Sequence, residues 1–220
     1  MRNVFIASLI VLVQPAFAMQ AFDLGSSEDV SFQALEAPAG SCGNQIEASL
    51  KDRFPGKIME LREALASDDT DSLGYELRRF SCHDYAKRLY LQASSKVSSL
   101  DPYNIDQLSS NWGGIDIKPA AKKFDMHYLT ISSAGEGYFH AINAVLIDES
   151  DPDNIESYIF IEPQTDRLLE ADEIRGHSSR LMNKPIEKPI TVELRTFDSY
   201  KFNGNIWQSH STKEKGFVID

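Results

Sequence analysis

The feature that most constrains the fold is a change of hydrophobic period part-way along the chain. From Asn44 to Phe54, and again from Lys57 to Ala66, apolar residues recur at helical spacing, with Pro55-Gly56 between the two runs. From Met126 the period becomes two. Met126–Ser133, Gly137–Ile147 and Ser157–Glu162 are rich in Tyr, Phe, Ile and Val and are separated by turn residues, which predicts strands. The Asp148–Asn154 connection, with Pro152 inside it, is short enough to make the last two an antiparallel hairpin. A further strand is expected at Ile190–Phe197, and Asn203-Gly204 within Lys201–Trp207 carries a type I′ hairpin signal. Helices first and an antiparallel sheet after them make an α+β fold. Both faces of the strands carry large apolar residues, so cover is expected on at least part of both sides.

Between the halves lies Ser81-Cys82-His83-Asp84-Tyr85-Ala86. Ser81 is a good N-cap, and Asp84 three residues on closes a capping box with it, so Cys82 becomes the first helical residue. Cys82, Ala86, Leu89, Ala93 and Val97 then share one face of a helix over 82–97, the natural cover for one side of the sheet. A thiol at a helix N-terminus meets unpaired N–H groups and the positive end of the macrodipole, both of which favour its anion. Before it, Asp68-Asp69-Thr70-Asp71 offers N-caps for a short helix through Tyr75 and Leu77 to Phe80. After it, Ser98–Pro119 has no clear period and reads as a long loop. Trp112, beside Gly113-Gly114 in that loop, either walls a substrate groove or tucks into the core.

Residues 1–18 read as a secretory signal: Arg2, an apolar Val4–Val13 run, and Ala16-Phe17-Ala18 as the cleavage site, too short to span a membrane. The mature chain then begins near Met19, with a loose arm over 19–41 and a single domain over 42–220, in a secreted or periplasmic, oxidising setting. A formal net charge of -11, with no Lys/Arg cluster, disfavours nucleic acid as a partner. The two cysteines, Cys42 and Cys82, are an even count in an exported chain, which by itself points to a disulfide.

His140 lies inside the strongest strand, where a polar ring must have a partner. Glu162 ends the next one. If the strands fold back across Asp148–Asn154, the midpoint of 140 and 162 falls in the turn and the two side chains are cross-strand neighbours. A carboxylate on one imidazole nitrogen fixes the tautomer and leaves the other nitrogen to take a proton from Cys82.

Cys82-His83-Asp84-Tyr85-Ala86, then Gly137-Tyr138-Phe139-His140-Ala141-Ile142-Asn143, then Phe160-Ile161-Glu162-Pro163-Gln164-Thr165 resembles the C-x-D-[YF]-A, H-A, D-P-T progression of the transglutaminase-like branch of the papain-like cysteine proteins. The resemblance covers residues 75–166 and implies a helix-borne cysteine packed on an antiparallel sheet that carries the histidine and the acid. It implies Cys82 as nucleophile, His140 as general base and Glu162 as the acid. The chain departs from the pattern in carrying Glu162 where the family has Asp, and in an extra Gln164 between Pro163 and Thr165. Gln164 and Asn143 are alternative orienting groups, and the Cys82 backbone N–H is the natural first oxyanion donor.

Other candidates are weaker. His127 is read as structural, His83 as pointing outward at the helix start, and His177 and His210 as surface residues. No Cys-x-x-Cys or His-x-x-x-His pair suggests a metal site, and Gly113-Gly114 and Gly135-x-Gly137 read as turns rather than phosphate loops. The leading expectation is an exported thiol acyl-transfer enzyme without a cofactor, acting on a protein, peptide or cell-wall amide by hydrolysis or transamidation. The competing one is a non-enzymatic exported module of the same fold, in which Cys42 and Cys82 form a structural or redox-latched disulfide. Oligomeric state is left open.

Overall fold

The computed structural model describes residues 42–74, 81–99, 117–118, 120, 122–202 and 207–220. Among them are four α-helices, α1 (Cys42–Arg53), α2 (Pro55–Ser67), α3 (Cys82–Ala93) and α4 (Ile174–Leu181). Six strands follow the first three helices or flank the fourth: β1 (Met126–Ser133), β2 (Tyr138–Leu146), β3 (Tyr158–Glu162), β4 (Arg167–Leu169), β5 (Ile190–Phe202) and β6 (Trp207–Ile219). They form one sheet in the order β4-β3-β2-β1-β5-β6, antiparallel throughout. The α+β expectation holds. No described helix is long and apolar enough to cross a membrane.

Period two has its usual consequence here, two different faces. Met126, Tyr128, Ala141, Val145, Ile159 and Ile161 face the helical layer, where Leu50, Ile58, Leu61, Leu65, Ala86 and Leu89 meet them. Leu129, Ile131, Ile142, Ala144, Phe160 and Leu169 face the other way, against Ile174 of α4 and Ile186. Each core is fully buried, so the sheet is covered on both sides as the doubly apolar strands required. Gly135 and Gly137, at φ +82° and +65°, make the β1–β2 turn with a backbone that L side chains resist.

Helix α3 begins where its capping box places it: the Ser81 backbone N–H donates to Asp84 Oδ2 at 2.9 Å. Its expected stripe is buried at Ala86, Leu89 and Ala93, with Cys82 half-buried at the end of it. The helix stops at Ala93 rather than Val97. Ser94 turns extended and bridges to Phe124, and a 3-10 turn over Ser95–Ser99 keeps Val97 buried by another route. Only a 3-10 turn, Thr70–Ser72, forms in the first part of the short helix expected before α3; its remainder lies outside the described residues, as do Trp112 and the Asn203-Gly204 turn. Phe202 and Trp207, either side of that turn, do pair. Strand β4 and helix α4 were not expected. Each is short, and α4 (IRGHSSRL) is mostly polar with a glycine inside it.

Arg88, 1% exposed, ties α3 to the turn after α2. One guanidinium nitrogen donates to Thr70 Oγ1 at 2.7 Å and lies 3.4 Å from Asp68 Oδ1, and the other pairs with Asp69. Asp68 is itself buried, so removing the cation strands a carboxylate in the interior. Arg88→Ala is therefore expected to lower unfolding stability by about 3 kcal/mol or more in urea titrations. Retention of wild-type stability would show that the network is not a structural tie.

Candidate functional site

Alternation along β2 puts Ala141, Asn143 and Val145 under α3 and sends His140 to the opposite face, with Tyr138 and Ile142. Glu162 shares that face through Phe160. The pairing Asn143↔Ile161 continues to Glu162 opposite Ile142, so His140 and Glu162 are diagonal neighbours, two residues from the directly opposed register expected. The cause is a 3-10 turn at Ile155–Ser157, which takes residues out of the returning arm and shifts the centre of the hairpin. Parity is preserved, so both side chains still share a face. The longer glutamate closes the diagonal: His140 Nε2 donates to Glu162 Oε2 at 2.7 Å.

Cys82 is close enough to the His140 ring to help hold it charged, and with Nε2 committed to Glu162 the nitrogen left for the thiol is Nδ1. At His140, β2 is still paired with β1 through Ile131, whereas its pairing with β3 has ended. The first turn of α3 therefore meets the ring past the open edge, from the face opposite to the one the ring occupies. Asn143 holds α3 there, its Nδ2 donating to the Ala86 carbonyl at 2.9 Å. It anchors the cysteine helix and is not the group that orients His140. Gln164 serves Glu162 through its backbone N–H, 3.4 Å from Oε1.

Cys82 forms no disulfide among the described residues. Cys42 is the first residue of α1, and its side chain lies outside the described residues.

His177 was expected at the surface and is instead part of this cluster. It is 7% exposed, and its Nε2 donates to the same Glu162 Oε2 at 2.9 Å. Polar neighbours in sequence hid this. The available signal was the spacing Ile174, His177, Ser178, Leu181, one face of a helical turn pattern. His83 also departs from expectation: it turns inward, contacts the Tyr128 hydroxyl and stacks on Phe139 at 4.9 Å. Burial, with help from the Lys87 charge, lowers its pKa to about 4, so it is a neutral ring at the floor of the site's flank. Beside it a cavity of about 590 Å³ is lined by Asp84, Lys87, Tyr128, Glu193 and Arg195 among others. His127 pairs away from the cluster, its Nδ1 2.6 Å from Glu214 Oε2. The side chain of His210 lies outside the described residues.

The electrostatics follow from burial and pairing together. Burial opposes the charged form of His140, but the Glu162 carboxylate and hydrogen bonds to Cys82 and Glu162 outweigh it and raise the pKa to about 10. Burial likewise pushes Glu162 up, and His140 and His177 more than reverse that, bringing it to about 2. The arrangement can present a half-buried thiol to an imidazole whose far nitrogen is fixed by a carboxylate, the constellation of thiol acyl transfer. No family model, curated protein or solved structure matches the chain, so this geometry and the motif order carry the functional reading.

The pair also predicts a pH dependence. Folding raises the His140 pKa, so its stabilisation is complete below the ordinary value of 6.5 and is lost as pH rises towards about 10. Folding lowers the Glu162 pKa, so its share is complete above the ordinary 4.5 and is lost as pH falls towards about 2. The difference in melting temperature between the wild type and Glu162→Gln should be widest between these two ordinary values and narrow on both sides. A difference independent of pH would mean that the pair is not ionised in the folded state.

Proposed function

We propose that the chain is an exported thiol-dependent acyl-transfer enzyme of the transglutaminase-like type, acting on a protein, peptide or cell-wall amide. The observation that carries this reading is the His140 ring held by Glu162 on Nε2, with Cys82 at the start of α3 near enough to act on the same ring. In the resting site the thiol proton has passed to His140 Nδ1, which makes a thiolate–imidazolium pair, and the Cys82 thiolate attacks the amide carbonyl. His140 then donates that proton to the departing amine as the C–N bond breaks, leaving a thioester on Cys82. Water or a second amine, deprotonated by His140, resolves the thioester and frees the thiol. Glu162 stays ionised throughout and holds the ring. The Cys82 backbone N–H, in the first turn of α3 where no preceding turn supplies a carbonyl, is the first oxyanion donor on this reading. The order of the three motifs along the chain and the signal-like first 18 residues support the same family and an exported setting.

The test is alkylation of Cys82 by iodoacetamide at about pH 6, where an ordinary thiol is almost wholly protonated. Labelling is expected to be fast in the wild type and about tenfold slower in His140→Ala, which has no imidazole to take the thiol proton. Labelling only after a reductant would identify the disulfide-latched alternative. Slow labelling of fully reduced protein, with or without His140, would remove the enzyme reading.

A further inference from the structure

A Cys-His-acid site needs one imidazole on its carboxylate, and this one has two. His140 Nε2, Glu162 and His177 Nε2 form a group of three potential ligand atoms, all within 4.8 Å of one another. The residues are 7%, 4% and 7% exposed, and they come from β2, β3 and α4, three elements packed on one face. Two imidazole nitrogens and one carboxylate oxygen, converging in a buried pocket, are a donor set suited to zinc with a fourth position open to water. The two N···O separations are 2.7 and 2.9 Å, and ligands around a tetrahedral zinc stand roughly 3.3 Å apart, so an ion enters as the Glu162 oxygen and the two rings draw apart by roughly half an ångström or more. Around the cluster, the buried hydroxyls of Tyr138 and Ser178 lie close to one another, and Ser178 directly follows His177. They are groups able to receive a metal-bound water.

We propose that His140, Glu162 and His177 form a zinc site that switches the thiol site off. The regulatory half rests on the acyl-transfer reading; the metal site does not. The two uses of His140 exclude each other. In acyl transfer Nε2 carries a proton towards Glu162 and Nδ1 exchanges one with Cys82. In the metal state zinc takes the Nε2 lone pair and the Nε2 proton leaves to solvent, so the neutral ring keeps its remaining proton on Nδ1. That nitrogen then faces Cys82 as a donor and cannot accept the thiol proton. Glu162 is drawn onto the ion at the same time and no longer orients the ring as a catalytic base.

Zinc alone is the probe, titrated calorimetrically into Cys82→Ser, which has no thiol at the site, and into the double variant Cys82→Ser with His177→Gln. Gln retains a donor for Glu162 while removing a good metal ligand, and matched circular dichroism and melting temperature establish that the double variant is folded. The expected result is one zinc per chain in Cys82→Ser and an affinity at least about tenfold weaker in the double variant. Cobalt in place of zinc should give no thiolate charge-transfer band in the wild type. Equal affinity in both variants, or a thiolate band with binding lost in Cys82→Ser, would overturn the site by placing the ion elsewhere or on Cys82 itself. For the regulatory half, zinc should slow alkylation of Cys82 in the wild type and a chelator should restore it. Alkylation unaffected by bound zinc would overturn the switch. Slow alkylation of metal-free, reduced protein would instead defeat the enzyme reading and leave the calorimetric result standing.

Discussion

A carboxylate almost wholly removed from water is held charged on the α4 face of the sheet because two imidazoles donate to one of its oxygens. Desolvating such an ion costs several kcal/mol, and nothing apolar around it would compensate. The arrangement therefore makes sense only if the rings and the acid stay together. That requirement reaches well beyond the cluster. Strand β3 must end at Glu162, β2 must present His140 two residues along the diagonal, and α4 must lie across the sheet to bring in His177. Both rings hold the same carboxylate oxygen, and the carboxylate fixes which nitrogen of His140 is left for Cys82.

The thiol arrives from the other side of the sheet, which makes the edge of β2 a decisive place in the fold. Had β3 continued past Glu162, its pairing would have covered the edge by which the first turn of α3 meets the ring. The helix is held in that position from both ends of its first turn and a half. The Ser81–Asp84 box starts it, and Asn143 grips the Ala86 carbonyl from the strand that carries His140. Arg88 adds a tie to the turn after α2. A thiol and an imidazole from opposite faces are thereby brought together by the capping box and one buried amide, rather than by direct packing of the two side chains into a common core.

Much of this was legible in the sequence where period and local chemistry act alone. The change from helical to alternating spacing identified the two layers, β1 matches its expected limits, and the capping box located Cys82 at the first residue of α3. Parity brought His140 and Glu162 to one face even though the register was off by two, because a shift of two residues leaves alternation unchanged. What sequence could not supply came from tertiary packing. The side of the sheet that α3 covers is not written into β2, whose two faces are both apolar, so the route of Cys82 to His140 was invisible. His83 looked solvent-bound because helix position says nothing of Phe139 beside it. His177 sat in a short polar helix whose four inward residues become meaningful only once the sheet beneath them exists. The same gap explains the zinc cluster: its ligands come from three elements, and spacing rules find only ligands that are close along the chain.

The central claim is that Glu162 holds His140 as a cation with its Nε2 proton directed at the carboxylate. Nitrogen-detected NMR of the imidazole rings measures this directly. With metal removed and at about pH 8, well above the value for an ordinary histidine, His140 should still show protons on both ring nitrogens. Glu162→Gln should convert it to the neutral ring. A wild-type His140 that is already neutral at that pH, or one that titrates alike with and without the carboxylate, would contradict the account.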